Sequence, residues 1–108
     1  MKPATQEKIN QLQILEENLR AYGLQRQQYG AELLEVESAS KEIKTASQSF
    51  KIIGNIMVAA SPADLERDLA ERREKLTLRI TSLERQEEKL KEKAKALQGE
   101  VLQEMQGV

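Results

Sequence analysis

The first half of the chain repeats its apolar residues at helical spacing. From residue 5 to residue 47 they recur three and four positions apart, which places them on one stripe of an α-helix. Numbered as heptads, the stripe keeps the a and d phasing of a coiled coil for about five heptads. Position a carries Leu12, Leu19 and Leu33, and position d carries Leu15, Tyr22, Tyr29, Val36 and Ile43. The pattern predicts a long helix over 5–47 that packs against another helix.

The second half has the same spacing and a distinct starting signal. Ser61 suits the N-cap of a helix, Pro62 suits the first helical position, where no amide donor is needed, and Asp64 suits the positive end of the helix dipole. Leucine then recurs every seven residues at position d, as Leu69, Leu76, Leu83, Leu90 and Leu97. The pattern predicts a second coiled-coil helix over 62–105.

Between the helices, residues 49–60 do not follow helical spacing. Two β-favouring runs flank Gly54 and Asn55, a pair that suits a two-residue turn of type II′ or I′. The predicted strand pairs are Ile53 with Ile56, Ile52 with Met57, Lys51 with Val58 and Phe50 with Ala59. This hairpin has apolar residues on both faces and two unpaired edges, so we expect it to need partner strands. The alternative is a short apolar loop between two helices.

A hairpin between two helices makes the helices run antiparallel. If the chain folds between Gly54 and Asn55, facing residues have numbers that sum to 109. The predicted apolar layers are Leu12 with Leu97, Leu15 with Ala94, Leu19 with Leu90, Tyr29 with Ile80 and Leu33 with Leu76. Each layer joins an a position to a d position without an insertion. We therefore predict a mainly α fold, a long antiparallel two-helix coiled coil joined by one central β-hairpin.

Some features weaken this regular pattern. The layers Tyr22/Glu87, Arg26/Leu83 and Val36/Arg73 contain polar groups, and they predict a looser seam. Two glycines at e positions, Gly23 and Gly30, predict either a softer helix or the close approach of a partner. A segment rich in serine and threonine, 38–49, predicts the fraying end of the first helix, because these side chains compete for backbone hydrogen bonds.

Apolar residues outside the seam gather where the two termini meet. They are Ile9, Ile14, Leu102, Met105 and Val108. Flexible apolar side chains at a coiled-coil end favour a low-specificity binding surface for other apolar segments. The alternative is ordinary fraying of the helix ends with continued packing.

Composition removes several functional classes. The chain has 108 residues and neither cysteine nor histidine, so the commonest catalytic nucleophiles, acid/base groups and transition-metal ligands are missing. We expect no enzymatic activity, no metal and no cofactor. Basic and acidic residues nearly cancel, 17 against 18, which favours neither nucleic acid nor a membrane surface. With no membrane span and no signal peptide in the sequence, a cytoplasmic location is expected.

The leucine repeat also suggests a leucine-zipper DNA-binding protein. That class needs a basic helix before a parallel zipper. Residues 1–48 carry six basic and seven acidic residues, which speaks against it.

Two runs of this sequence resemble a known family. The segment from Phe50 to Val58, followed by a helix containing the run from Leu83 to Leu90, is similar to the β subunits of prefoldin in their archaeal form. The resemblance extends over nearly the whole chain. Its more specific part is the turn segment, in which an aromatic residue and a lysine are followed by any two residues and then by Gly-Asn-Ile.

The resemblance implies an ATP-independent chaperone, a holdase. In that family the hairpins join into an oligomeric β-barrel platform, a hetero-hexamer of two α and four β subunits. Unfolded proteins are held at the coiled-coil tips and delivered to a group II chaperonin. The single hairpin fits a β subunit, and the chain is expected to form one prefoldin-like domain over 1–108. A structural protein that assembles through its hairpins into a scaffold or filament is the alternative function.

The resemblance also assigns two sets of site residues. The expected oligomer interface comprises Phe50, Ile52, Ile53, Gly54, Asn55, Ile56, Met57 and Val58. The expected client-binding residues are Ile9, Leu12, Ile14, Val101, Leu102 and Met105.

Overall fold

A computed structural model describes residues 2–107 as two long helices with one β-hairpin between them. Helix α1 spans Pro3–Ile43, strand β1 spans Ser49–Ile53, strand β2 spans Ile56–Ala60 and helix α2 spans Pro62–Gln106. Within the described residues the chain forms two compact units, which we call the hairpin unit (residues 28–80) and the terminal unit (residues 2–27 and 81–107). The mainly helical fold with a central hairpin confirms the predicted fold class.

Helix α2 begins where the capping residues predict. The backbone amide of Asp64 donates a hydrogen bond of 3.1 Å to Ser61 Oγ, and the amide of Leu65 donates to the Ser61 carbonyl. Pro62 is the first helical residue. The cap satisfies an amide in the first turn that has no acceptor within the helix.

Replacing Ser61 with alanine is expected to lower the free energy of unfolding by about 1 kcal/mol, because the Asp64 amide loses its acceptor. Denaturant unfolding at fixed protein concentration measures the change. The matched control is Ser82→Ala, an exposed position in the middle of the same helix. Equal stability of the two variants would show that the cap contributes nothing.

Helix α1 ends earlier than predicted. Its last residue is Ile43, so the predicted end at residue 47 is wrong. The amides of Thr45 and Ala46 donate to the carbonyls of Glu42 and Ile43, three residues back, and the Thr45 hydroxyl also donates to the Glu42 carbonyl. These turn-type bonds replace the helical ones, and the chain is then free to enter strand β1.

The hairpin has the predicted register. Ile53 pairs with Ile56, Ile52 with Met57, Lys51 with Val58 and Phe50 with Ala59, and the ladder ends at Ser49 and Ala60. The Ser49 hydroxyl closes the base by donating a 2.6 Å hydrogen bond to the Ala60 carbonyl. The alternative of a short loop between two helices is therefore wrong.

The turn of the hairpin is of type II′. Gly54 has a φ of 60°, whereas no non-glycine residue among residues 2–107 has a positive φ. A type I′ turn would require a positive φ at Asn55 as well, so the structure decides between the two predicted turns.

In the hairpin unit the two helices pack antiparallel at the predicted positions. Val36 and Leu76 are buried in its core. The Arg79 guanidinium lies 5.5 Å from the centre of the Tyr29 ring. Arg73 occupies a seam position but stays exposed, with its Nε 3.8 Å from Glu37 Oε1. The predicted weak layer at Val36/Arg73 thus has an apolar side that is buried and a charged side that reaches solvent.

The terminal unit has the same antiparallel arrangement, with Leu83, Ala94 and Val101 in its core. Glu87 is also buried, and its Oε1 accepts a 2.8 Å hydrogen bond from Arg26 Nε. The two polar residues of neighbouring predicted layers therefore satisfy each other across the helix pair. Such a pair avoids leaving an uncompensated charge in the seam.

Neither of the two e-position glycines is explained by crowding inside the chain. A Cβ added at Gly23 or Gly30 would meet no atom within 4 Å. We expect Gly23→Ala and Gly30→Ala each to raise the free energy of unfolding by about 0.5–1 kcal/mol, because alanine favours the helix. Denaturant unfolding measures the free energy of unfolding. The substitution Ala31→Gly, at an exposed neighbouring position, is expected to lower this free energy by a similar amount. A loss of stability in Gly30→Ala would mean that another chain packs closely against this glycine.

Candidate functional site

The hairpin carries a large uncovered apolar surface. Its six large apolar side chains are 43–71% exposed, and together we call them the hairpin surface: Phe50, Ile52, Ile53, Ile56, Met57 and Val58. The sheet has only these two strands within residues 2–107, so both strand edges are open. Exposed apolar patches and unpaired edges of this kind mark interaction surfaces.

Lys51 distinguishes the two faces of the hairpin. Its Nζ lies 3.5 Å from Asp68 Oδ2 on helix α2, so the side of the hairpin that carries Lys51 is linked to its own helix. The opposite face carries Phe50, Ile52, Met57 and Ala59 and has no charged side chain. Both residues of the ion pair are about half exposed, so the link orients the hairpin more than it stabilises it.

The expected client-binding residues divide into exposed and covered members. Ile14, Leu102 and Met105 are more than half exposed, whereas Ile9 and Leu12 are partly covered. Val101 lies in the seam of the terminal unit and is only 8% exposed, so it can meet another molecule only where the two helices separate. Val108 lies outside the described residues. Client binding by these residues stays a prediction.

Ile14 lies at a groove that was not evident from the sequence. The groove has a volume of about 420 Å³ and belongs to the terminal unit. Its lining residues are Gln11, Ile14, Leu15, Lys93, Ala96, Leu97 and Glu100. Heptad assignment placed Leu15 and Leu97 wholly in the seam, but their partly covered side chains also line the groove. The small residue Ala96 beside Leu97 is the sequence signal that could have indicated it.

A polar cluster closes the last layers of the terminal unit. Thr5 is only 2% exposed, and its hydroxyl donates a 3.0 Å hydrogen bond to Glu104 Oε2. Lys8 Nζ donates a 2.8 Å hydrogen bond to Glu104 Oε1 and lies 3.6 Å from Glu100 Oε2. We call Thr5, Lys8 and Glu104 the terminal polar cluster.

The cluster shifts the pKa of both charged partners. The hydrogen bond from Lys8, followed by that from Thr5, lowers the pKa of Glu104 below its ordinary 4.5, and Lys2 adds to the effect. The hydrogen bond to Glu104 raises the pKa of Lys8 above 10.5. Stability from Glu104 is present above pH 4.5 and lost as pH falls through its lowered pKa. Stability from Lys8 is present below pH 10.5 and lost as pH rises through its raised pKa. The pair is therefore intact across the neutral range.

Three more leucines are exposed but belong neither to the hairpin surface nor to the expected client-binding residues. They are Leu24, Leu34 and Leu78, each more than half exposed and none at an a or d position. Leu78 lines a groove of about 810 Å³ in the hairpin unit, together with Ala63, Ala70 and Thr77. These leucines provide matched controls for substitutions in the hairpin surface and at the exposed client-binding residues.

The described residues set limits on other kinds of site. No helix within residues 2–107 is both long and apolar enough to span a membrane. In the same part of the chain, no group of three or more acidic or histidine side chains is arranged to hold a metal ion.

The fold and its exposed hairpin define a class, the coiled-coil subunits that join two long helices through a β-hairpin. The family model described as "Prefoldin subunit" matches residues 6–107. The chain therefore belongs to the prefoldin family, which supports the role of a chaperone subunit and implies assembly with other prefoldin subunits.

Individual relatives agree with this assignment. The chain is 37% identical over 94 residues to prefoldin subunit beta of Archaeoglobus fulgidus, covering 84% of this chain and 81% of that protein. It is 35% identical over 106 residues to prefoldin subunit beta of Pyrobaculum arsenaticum, covering 95% of this chain and 86% of that protein. The crystal structure of the prefoldin beta subunit from Thermococcus strain KS-1 superposes with a TM-score of 0.88 at 31% identity, covering 96% of this chain and 93% of that chain.

Proposed function

We propose that this chain is the β-type subunit of an ATP-independent holding chaperone. It binds unfolded polypeptides through apolar residues of the terminal unit and delivers them to a group II chaperonin in the cytoplasm. It has no catalytic activity of its own, and the whole chain acts as one prefoldin-like domain. Membership of the prefoldin family supports this role.

The observation that carries the proposal is the separation of two kinds of apolar surface along one chain. The hairpin surface lies on the two strands of the hairpin unit, whereas Ile14 and its groove belong to the terminal unit. A holding chaperone needs one surface to assemble and another that remains open for clients. The two exposed apolar surfaces of this chain support such a division of roles.

For assembly, we propose that the hairpins form a β-barrel platform in a hetero-hexamer of two α and four β subunits. Closing a sheet into a barrel removes its open edges and buries one face of each strand. The face with Phe50, Ile52, Met57 and Ala59 carries no charged side chain and suits the interior.

For client binding, we propose that the groove beside Ile14 receives apolar side chains of an unfolded polypeptide, with Leu102 and Met105 as further contacts. A groove of 420 Å³ lies within the usual range of ligand sites, about 300–1,000 Å³. Four of its lining residues are apolar, whereas Gln11, Lys93 and Glu100 are polar. Such a groove selects apolar character without selecting a sequence.

The test is light scattering from a chemically unfolded protein diluted into buffer. The chain is added alone or mixed with a candidate α subunit, without nucleotide. Suppressed aggregation is the expected result. Continued aggregation in both mixtures, with the assembly shown to be intact, would contradict the holding function.

A scaffold or filament is the second candidate. It is favoured by one observation, that the two strand edges of the hairpin are both open within the described chain. Open edges suit an unlimited stack as well as a closed ring. Sedimentation over a range of protein concentrations distinguishes the closed ring from the open stack. A closed ring keeps one mass at every concentration, whereas a stack grows as the concentration rises.

A further inference from the structure

The two helices continue beyond the last apolar layer of the coiled coil. The heptad leucines of helix α2 end at Leu97, and the next d position is Glu104. In helix α1, Leu12 is preceded at seam positions by Thr5 and Lys8. Yet the helices extend to Pro3 and to Gln106, so the terminal unit ends in layers built mostly from polar side chains.

Polar side chains connect the helices in the last layer. Thr5 and Lys8 on helix α1 both donate hydrogen bonds to Glu104 on helix α2. Lys8 and Glu104 are each about 30% exposed, so water and salt ions reach the pair. An ion pair of this exposure weakens as the salt concentration rises, whereas apolar packing does not. The contacts at the end of the helix pair can therefore weaken under conditions that leave the apolar packing at Leu83 and Ala94 unchanged.

Apolar side chains lie directly behind this polar layer. Val101 is buried, and Leu12 and Leu97 are partly covered. Leu102 and Met105, on the same turns of helix α2 as Val101 and Glu104, are already exposed. Separation of the helix ends would add the covered side chains to the exposed ones and form a single larger apolar surface.

We propose that the terminal polar cluster, Thr5, Lys8 and Glu104, controls how much apolar surface the terminal unit offers to a client. With the cluster formed, only the exposed side chains and the groove beside Ile14 are open. When the cluster breaks, the helix ends separate, Leu12 and Val101 become part of the binding surface, and Leu97, which already lines the groove, becomes more exposed. The client part of this inference rests on the proposed function, whereas the closing of the helix ends does not.

Three variants test the closing of the ends. Glu104→Lys places a third positive charge near Lys8 and Lys2 and is expected to open the ends. The double variant Lys8→Met, Glu104→Leu replaces the polar layers with apolar side chains and is expected to keep the ends closed. Glu92→Lys is the control, because it makes the same charge change at an exposed position of helix α2.

Hydrogen exchange of the backbone amides in residues 8–15 and 97–104, without client, measures opening directly. Exchange in Glu104→Lys is expected to be faster than in Glu92→Lys by a factor of about five. Exchange in the unsubstituted chain should speed up with salt, and exchange in the double variant should be slow at every salt concentration. Equal exchange in all variants would overturn the proposal.

Client affinity, measured with the same variants and one unfolded protein, tests the consequence of opening. Glu104→Lys is expected to bind more tightly than the control, and the double variant more weakly and without the added salt dependence. Altered exchange with unchanged affinity would overturn the link between opening and client binding. If the unsubstituted chain binds no client at all, the proposed function fails, and the exchange rates still decide whether the cluster closes the ends.

Discussion

Replacing Ile53 and Ile56 with lysine is expected to dissociate the assembly while the helix content stays largely intact. The two residues pair directly across the hairpin and are 58% and 66% exposed in the single chain. Each isoleucine that becomes buried between subunits contributes about 1.5–3 kcal/mol, and a lysine there would add a charge without a partner. Every copy of the chain carries both changes, so the losses accumulate around the assembly.

Sedimentation velocity and far-ultraviolet circular dichroism together measure this outcome. The control is Leu34→Lys with Leu78→Lys, two leucines that are similarly exposed but lie outside the hairpin. The control is expected to sediment like the unsubstituted protein. If the hairpin variant also does so, the hairpin is not the assembly surface. The companion variant Ile52→Lys, Met57→Lys changes the opposite face and shows which face is buried in the assembly.

Replacing Ile14, Leu102 and Met105 with serine is expected to weaken client binding at least tenfold and to leave the assembly intact. These side chains are the most exposed of the predicted client-binding residues. Losing the burial of even one large apolar side chain costs about 1.5–3 kcal/mol, which corresponds to about tenfold or more in affinity. None of the three belongs to the terminal polar cluster or to the hairpin, so folding and assembly have no reason to change.

Titration of a fluorescently labelled unfolded protein measures the affinity, and sedimentation verifies the assembly. The matched control replaces Leu24, Leu34 and Leu78 with serine, which removes a similar exposed apolar area elsewhere on the helices. Equal weakening by both triple variants would mean that clients bind apolar side chains along the whole chain. No weakening by either would place the client site elsewhere.

The helices and the hairpin could be predicted because local chemistry determines them. Ser61, Pro62 and Asp64 act within one turn of helix α2, and the Asp64 amide does donate to Ser61 Oγ. The two-residue turn at Gly54 and Asn55 aligns Ile53 with Ile56, and this pair sets every other pair of the hairpin. The end of helix α1 was harder to predict, because the serine and threonine side chains of residues 38–49 compete for backbone hydrogen bonds at several positions. The sequence therefore predicted an end at residue 47, whereas the helix ends at Ile43.

The candidate site was only partly predictable. The apolar character of the hairpin surface and of Ile14 can be read from the residues, since an apolar side chain outside the seam has no partner in the chain. The division into covered and exposed residues could not be read in the same way. Val101 and Leu102 are neighbours in sequence and similar in chemistry, yet one is buried and the other is 59% exposed.

The sequence by itself determined the two heptad repeats, the hairpin register and the family, because each depends on residues close together in the chain or on their regular spacing. Only the tertiary structure decided which side chains are covered and which polar groups bond to each other. The heptad register places Thr5 opposite Glu104, but only the structure shows that the Thr5 hydroxyl and Lys8 Nζ both donate hydrogen bonds to the Glu104 carboxylate. The groove beside Ile14 likewise requires side chains from both helices. Burial and long-range hydrogen bonds depend on the packing of one helix against another, so they appear only when the chain has folded.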